Sequence, residues 1–472
     1  MADWRVISGL SLALATTASV VDTPRASAYE FLVQSQTVGD AYQLVTSDNE
    51  VLNRRRVHQY LGLSVSDLTG DGTQKLSVQT LFRFDGDFGL SDAVVRNTEL
   101  RRDKLSIQSA YVEGKDLLNG WLAFKVGRHM KADQLDYLML DGVTLDVNTP
   151  FFFGIELEGG AEVREDLWSI NANQLQPDGT RYLQRDGTEF GDDASDQTLL
   201  EQQTSYVLGA AIVSRNIDYG QYRFGYRRVF SGAVDTEKVG GAFRQRIVDG
   251  VDLSGLASWD MFNGRFDRVQ GQVKWRIVDW TAVELEYTRL LPSFDADSIF
   301  NIFTAFPMND VNLRWRLFLN KTDRIYAGAM VRFFGNEGYT DGVLEGDVDT
   351  VVKAWGGSAG YSHSFGKNGV DGRVSADISY DGGYGGKRLL ADVSGTWAIV
   401  PGEWELEGRV TAVDFDDDMQ TNLHAFSFGY QLGGRYLIDD KAAFAIVAEH
   451  NMNRLYSQQV RVFALVDVAV WL

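Results

Sequence analysis

The sequence predicts an all-β fold, a closed antiparallel β-barrel that spans a membrane, and three observations carry that prediction. From residue 460 to residue 472 every even position is apolar (Val460, Val462, Ala464, Val466, Val468, Val470, Leu472), while the odd positions include Arg461, Asp467 and Trp471. A period of two with one wholly aliphatic face marks a strand lying between an apolar and a polar environment. Alternation of the same kind recurs along the chain, and beyond the N-terminus no apolar run approaches the roughly 18 residues that a spanning helix needs. A strand at the end of a chain leaves an edge to cover, and pairing with the first strand closes the sheet. An apolar outside, a polar inside and a closed ring together describe a transmembrane barrel.

Composition narrows the function classes. The 472 residues include 48 Gly, 6 Pro, no Cys and 12% aromatic residues, at a net charge of -20. The acidic excess excludes nucleic acid as a partner, because phosphate backbones need a basic surface. Without cysteine there is no disulfide framework.

The N-terminus supplies an address. Arg5 precedes an apolar stretch over 6–21, and Ala26-Ser27-Ala28 forms an A-x-A cleavage site. Residues 1–28 therefore read as a Sec signal peptide, which sends a barrel to the bacterial outer membrane. Residues 29–54 alternate weakly and read as a periplasmic or barrel-mouth segment; the barrel occupies 55–472.

Alternation begins in earnest at Arg56 and runs through 56–66, 76–84, 105–111, 121–128, 141–146, 151–158, 205–214, 221–229, 246–259 and 269–277. It continues in 282–288, 312–319, 324–333, 354–364, 373–380, 389–399, 404–413, 423–437, 442–449 and the terminal strand. Each has about the length of a tilted spanning strand. Some are short or loosely patterned, so the expectation is about 18 strands, within a range of about 16 to 20. Pro150, Pro177, Pro292, Pro307 and Pro401 all fall between segments, as residues that cannot donate to a ladder must. Counting back from the C-terminus puts the long connections 291–308 and 334–349 on the outer side, but the same count puts 160–202 on the periplasmic side. The conflict implies one strand miscounted within 231–264 and another before 160, with 141–146 the first suspect.

Lumen-facing residues follow from the alternation. Segment 312–319 puts Leu313, Trp315, Leu317 and Leu319 outside and Arg314 and Arg316 inside; its neighbour turns Arg324, Tyr326 and Arg332 inward. Glu284, Glu286, Lys274 and Arg276 point inward on the other flank. Arg or Lys facing the bilayer midplane costs about 2–4 kcal/mol, which fixes the assignment. Two readings compete for this wall. One is cross-strand pairing of Arg with Glu; the other is an arginine ladder for an anionic solute. Arg223 and Arg227, also inward, read as paired filler, as do Arg373, Arg388, Arg409 and Arg461 beside Asp377, Asp392, Glu405, Glu407 and Asp467.

In the connection 291–308, Asp297 can cap a short helix with Ile299, Ile302, Phe303 and Phe306 on one face, next to Phe300. So apolar a loop must pack, either constricting the lumen or meeting a partner. Asp414, Asp416, Asp417 and Asp418 crowd another loop, where a solvated acidic tip outweighs divalent-ion binding. Gly356-Gly357-Ser358-Ala359-Gly360 matches G-x-S-x-G but lies within a strand, without the strand-turn-helix elbow that the motif requires. His58, His129, His363, His424 and His450 form no triad or metal spacing. The sequence therefore predicts no enzyme, no metal and no cofactor.

The stretch Phe124-Lys125-Val126-Gly127-Arg128-His129, a loop, then Leu140-Asp141-Gly142-Val143 resembles the "GRQ, loop, DG" hairpin of porin-like barrels, including alginate-export barrels. The whole pattern is similar to the large barrels that work with periplasmic polysaccharide-export proteins. His129 replaces the usual Gln, and Leu472, beside Trp471, replaces the usual terminal Phe. The resemblance implies a passive outer-membrane conduit without cofactor or catalytic residues. Its expected partners are outer-membrane lipid, the barrel-assembly machinery through the strand ending Val470, Trp471 and Leu472, and a periplasmic polysaccharide-export protein. The leading expectation is export of an acidic polysaccharide; the alternatives are a general solute porin and a non-conducting barrel that anchors an envelope complex.

Overall fold

The computed structural model describes residues 30–45, 51–68, 75–89, 103–163, 205–215, 217–230, 235–262, 264–291, 308–334, 352–367, 370–383, 386–417, 423–438, 441–453 and 458–471. They form 22 antiparallel strands. The first eleven are β1 (Glu30–Val45), β2 (Val51–Ser66), β3 (Leu76–Asp87), β4 (Asp103–Asp116), β5 (Leu122–Ala132), β6 (Tyr137–Asn148), β7 (Phe153–Glu162), β8 (Tyr206–Ser214), β9 (Gly220–Phe230), β10 (Asp235–Val248) and β11 (Val251–Asp260). The rest are β12 (Arg265–Val278), β13 (Thr281–Leu290), β14 (Met308–Phe318), β15 (Asp323–Phe334), β16 (Val352–Lys367), β17 (Val370–Gly383), β18 (Gly386–Val400), β19 (Trp404–Asp417), β20 (Leu423–Ile438), β21 (Ala442–Met452) and β22 (Gln459–Trp471). Each pairs with its chain neighbours, and β22 returns to β1 with Leu32 opposite Trp471 and Ala41 opposite Val462. The sheet is a closed ring without free ends.

The expected 18 strands are corrected to 22. Every alternating segment but 246–259 falls on a single strand, 141–146 included, since it lies within β6. Two strands escaped the pattern. Residues 30–45, assigned to a periplasmic or barrel-mouth segment, are β1 in the wall itself. Segment 246–259 hides a two-residue turn, Asp249-Gly250, between β10 and β11, with Gly250 at φ +84 and Arg246 facing Asp252. With 22 strands the conflict over loops disappears. The long connections after β7, β13 and β15 all leave from one end, and β1 starts and β22 ends at the other, the short-turn periplasmic end.

The two faces of the wall differ as the period of two demands. Leu285, Leu313, Trp315, Ile325, Val331, Ile378, Val393, Val410, Leu432, Ile446 and Val462 are exposed on the outer face, forming a belt that suits hydrocarbon. The residues between them are mostly polar and face the lumen. Among the described residues no helix is long and apolar enough to cross a membrane; the strands cross it, and the barrel is a protein of the bacterial outer membrane. A ring of 22 strands encloses a lumen wide enough to need filling. The only buried apolar cluster among the described residues, Leu138, Leu140, Val207 and Val229, lies on the lumen side of β6, β8 and β9. It marks where the chain folds inward.

Candidate functional site

The inward fold begins at a crease. Gly127 on β5, Gly142 on β6 and Gly160 on β7 stand opposite one another in register. Gly127 has φ +119, and a Cβ there would lie 2.3 Å from the carbonyl oxygen of Ala110; one on Gly142 would lie 2.2 Å from that of Gly159. The strands cross too closely at this row for any side chain, so they can bend there. The ladder between β4 and β5 ends at the same level, with Arg128 opposite Ala110 as its last pair. Beyond it β5 leaves β4. Arg128 bridges the parting: it donates Nε and Nη2 to the two carboxylate oxygens of Asp141, both at 2.7 Å, and Nη1 to the carbonyl oxygen of Ile107 at 3.0 Å. His129 is buried behind it, its Nε2 2.8 Å from Thr144 Oγ1 and its ring edge-on to Tyr111.

The tip of the β5–β6 hairpin crosses to the opposite side of the bend and is held there by charge. Arg227 on β9 donates Nε to Glu158 at 2.7 Å and Nη2 to Asp133 at 2.8 Å; Arg223 donates Nη2 to Asp133 at 3.2 Å and pairs with Glu156. Lys131 pairs with Glu156 and Glu158, and Lys238 on β10 reaches Asp136 at 3.1 Å and Asp267 at 3.0 Å. Gly225 and Gly240, opposite each other on β9 and β10, leave the space that Gln134 and Leu135 enter; a Cβ on either would lie under 3.0 Å from those side chains. In this cluster each cation has a carboxylate and the buried carboxylates share cations, so losing one cation strips several buried charges of part of their compensation at once.

Further round, the wall is a single layer. Lys274 on β12, Glu284 on β13 and Arg314 on β14 stand in one row, and Arg276, Ala282, Arg316 and Tyr326 in the next. Arg316 pairs with Glu284 at 2.9 Å, and Glu286 is held by Gln270 at 2.8 Å. Arg324 lies over the Phe318 ring at 5.8 Å. Lys274, Arg276 and Arg314 are exposed, and among the described residues none has a carboxylate in ion-pair reach. Arg332 differs from the rest of the expected ladder: its Nε and Nη2 donate to the two oxygens of Asp310 at 2.7 and 2.8 Å, so it is neutralised.

The other expectations are placed as follows. Arg388 meets Asp381 at 2.6 Å and Arg409 meets Asp392 at 2.7 Å. Val470 and Trp471 end the closing strand; Leu472, residues 1–28 that the sequence reads as a signal peptide, and Asp297, Ile299, Phe300 and Phe303 lie outside the described residues. Ser358 faces the lumen on β16, whereas His363 is on the other face with Nδ1 2.8 Å from Asp323. Among the described residues no group of three or more His, Cys, Asp or Glu side chains could hold a metal. Sequence reading missed Lys131, Asp133, Asp136, Glu156, Glu158, Lys238 and Asp267; the in-register glycines at 127 and 142, inside the quoted motif, were the available signal.

No protein-family model and no curated protein matches the chain. Similar solved structures include Acinetobacter baumannii OccAB4, with 8% identity over 95% of this chain and 100% of that one at a TM-score of 0.43. Pseudomonas aeruginosa OccK5 (OpdH) matches at 10% identity over 94% and 98% with a TM-score of 0.42. A BenF-like porin from Pseudomonas fluorescens Pf-5 matches at 7% over 94% and 99% with a TM-score of 0.41. At that level of likeness the fold is established by the chain's own closed ladders, apolar outer belt and polar lumen, which together make it a transmembrane β-barrel of the outer membrane.

Proposed function

We propose that the chain is a passive channel for small solutes, narrowed by the β5–β6 hairpin and biased towards anions by the β12–β15 wall. The observation that carries this reading is the set of lumen-facing cations that have no carboxylate partner among the described residues, Lys274, Arg276 and Arg314, with Arg324 beside them. In a narrow lumen their local field outweighs loop carboxylates screened beyond about 8–10 Å. The general porin thus takes precedence over polysaccharide export, because a hairpin folded into the lumen leaves less room for a polymer than for a small solute. The partners in this reading are outer-membrane lipid and, during insertion, the assembly machinery at the C-terminal strand; a periplasmic export protein belongs to the polymer reading.

The test is reversal potential in planar bilayers across a salt gradient. Purified barrel should pass anions in preference to cations, and changing Lys274, Arg276, Arg314 and Arg324 together to Gln should abolish the preference. Cation preference untouched by the four changes would discard the cationic wall. A barrel that conducts nothing would point to the anchoring role.

A further inference from the structure

At the periplasmic mouth the cationic wall is recessed into a cavity of 460 Å³ lined by Arg246, Lys274, Arg276, Arg316 and Phe318 around Ala282. The local sequence builds its sides. The Asp249-Gly250 turn leans on β12, where the carbonyl of Gly250 accepts the Arg276 N–H at 2.7 Å, and a Cβ on Gly250 would stand 2.8 Å from the Arg276 carbonyl oxygen. On the other side the N–H of Phe318 is tied to the carbonyl of Trp280 at 2.8 Å. The floor is Ala282, with Arg276 and Arg316 directly opposite it on its two neighbouring strands. Strands about 4.8 Å apart put those two arginines on the order of 10 Å apart at the backbone. Two guanidinium arms therefore flank a gap left open by one small side chain.

Charge decides what the gap takes. Arg246 is held by Asp252 at 3.4 Å and Arg316 by Glu284 at 2.9 Å, and Asp249 is the third carboxylate of the lining. Lys274 and Arg276 have no carboxylate in reach among the described residues, and Arg314 stands next to Glu284 in register. Four cations of the lining thus meet three carboxylates, an excess of one, with Arg314 standing outside the lining. Guanidinium groups bind tetrahedral oxyanions through paired N–H donors. We infer that this recess is a saturable binding station for a small solute bearing a tetrahedral oxyanion, of the phosphate or phosphomonoester class, whose several oxygens let it accept from both guanidinium arms at once. The station deepens the anion-channel reading and rests on it: it supplies a place where a permeating oxyanion pauses before release into the periplasm. The cavity exceeds one phosphate group, so the remainder of a small organic phosphate fits beside Phe318.

Inorganic phosphate, sulfate and acetate are the probes. In bilayers, phosphate added on the periplasmic side should block the chloride current of the wild-type barrel in a saturable manner; sulfate should do the same, and acetate should block far more weakly. Ala282→Leu fills the recess without changing any charge and should raise the half-blocking concentration about tenfold, the worth of one well-made charged hydrogen bond. Because that variant could misassemble, its heat-modifiable mobility is checked on gels. Broadening of the phosphorus resonance of phosphate by detergent-solubilised wild type, lost in Arg276→Gln, gives a second readout. An anion-selective wild type with no saturable block, or an Ala282→Leu barrel blocked at the wild-type concentration, overturns the station and leaves the channel reading standing. Equal block by acetate overturns the preference for a tetrahedral oxyanion. A wild type with no anion preference removes the channel reading and the station together.

Discussion

The hairpin cluster and the β12–β15 wall use the same residue types and arrive at opposite electrostatics. In the first, Lys131, Arg223, Arg227 and Lys238 meet Asp133, Asp136, Glu156, Glu158 and Asp267, with Arg227 and Glu158 almost wholly buried. In the second, Lys274, Arg276 and Arg314 meet lumen solvent. The difference is the number of layers. Where the hairpin tip folds over β9 and β10 it excludes water, and an unpaired charge there would carry a large desolvation cost. Where the wall is one strand thick, each cation keeps its hydration and needs no partner. Double-layered wall makes structure; single-layered wall is free to act on what passes.

The largest effect that could break this comparison is on stability. Arg227→Leu leaves the buried Glu158 to Lys131 and the buried Asp133 to Arg223 and should cost about 3 kcal/mol, read as a lower temperature for loss of the folded gel band, together with a larger or noisier conductance as the tip comes loose. Arg276→Gln on the single-layered wall should stay within about 0.5 kcal/mol. Equal losses would mean that the two regions are not built differently. A middling effect is expected at the crease. Gly127→Ala places a Cβ 2.3 Å from a backbone oxygen at positive φ, a strain on the order of 1–3 kcal/mol, whereas Gly271→Ala on β12 meets nothing within 4 Å and should be neutral in the same assay. The smallest effect separates the two electrostatically. Raising salt from about 0.1 to 1 M shortens the screening length from about 10 to 3 Å; anion preference should fall while the folded band's melting temperature stays put. A melting temperature that drops with the preference would show the hairpin charges to be as wet as the wall.

Much of the fold was legible because lipid enforces a period of two, and every strand with a clean aliphatic face was found. The two missed strands lacked that face. On β1 the outward positions Ser35, Thr37, Gly39 and Ala41 are small or polar, with Gln59 of β2 donating to Ser35 at 3.0 Å. Around the β10–β11 turn, Gly240, Gly241 and Gly255 dilute the alternation; the Asp249-Gly250 dipeptide was the signal to use. The cationic wall was readable from parity alone, but its pairing was not. Arg332 looked like Arg314 in sequence, and only the register that puts Asp310 opposite it shows the difference. The hairpin cluster was invisible because it joins residues up to 102 positions apart through a bend, and no pattern of period two encodes a bend.

The seam between β1 and β22 sets the order of events in making this molecule. Every other ladder joins strands that follow each other in the chain and can form as a hairpin, but Leu32 must find Trp471. That last contact closes a loop of nearly the whole polypeptide, so its entropy is met only once the other twenty-one ladders have brought the ends together. Closure is then the slow step, and β1, with so little aliphatic surface to hold it in hydrocarbon, is the strand that waits. Slowing should appear as an intermediate with strand content already near its final value but with the outermost strands open to protease. Changes that strengthen the β1–β22 ladder should shorten the life of that intermediate without altering the finished barrel.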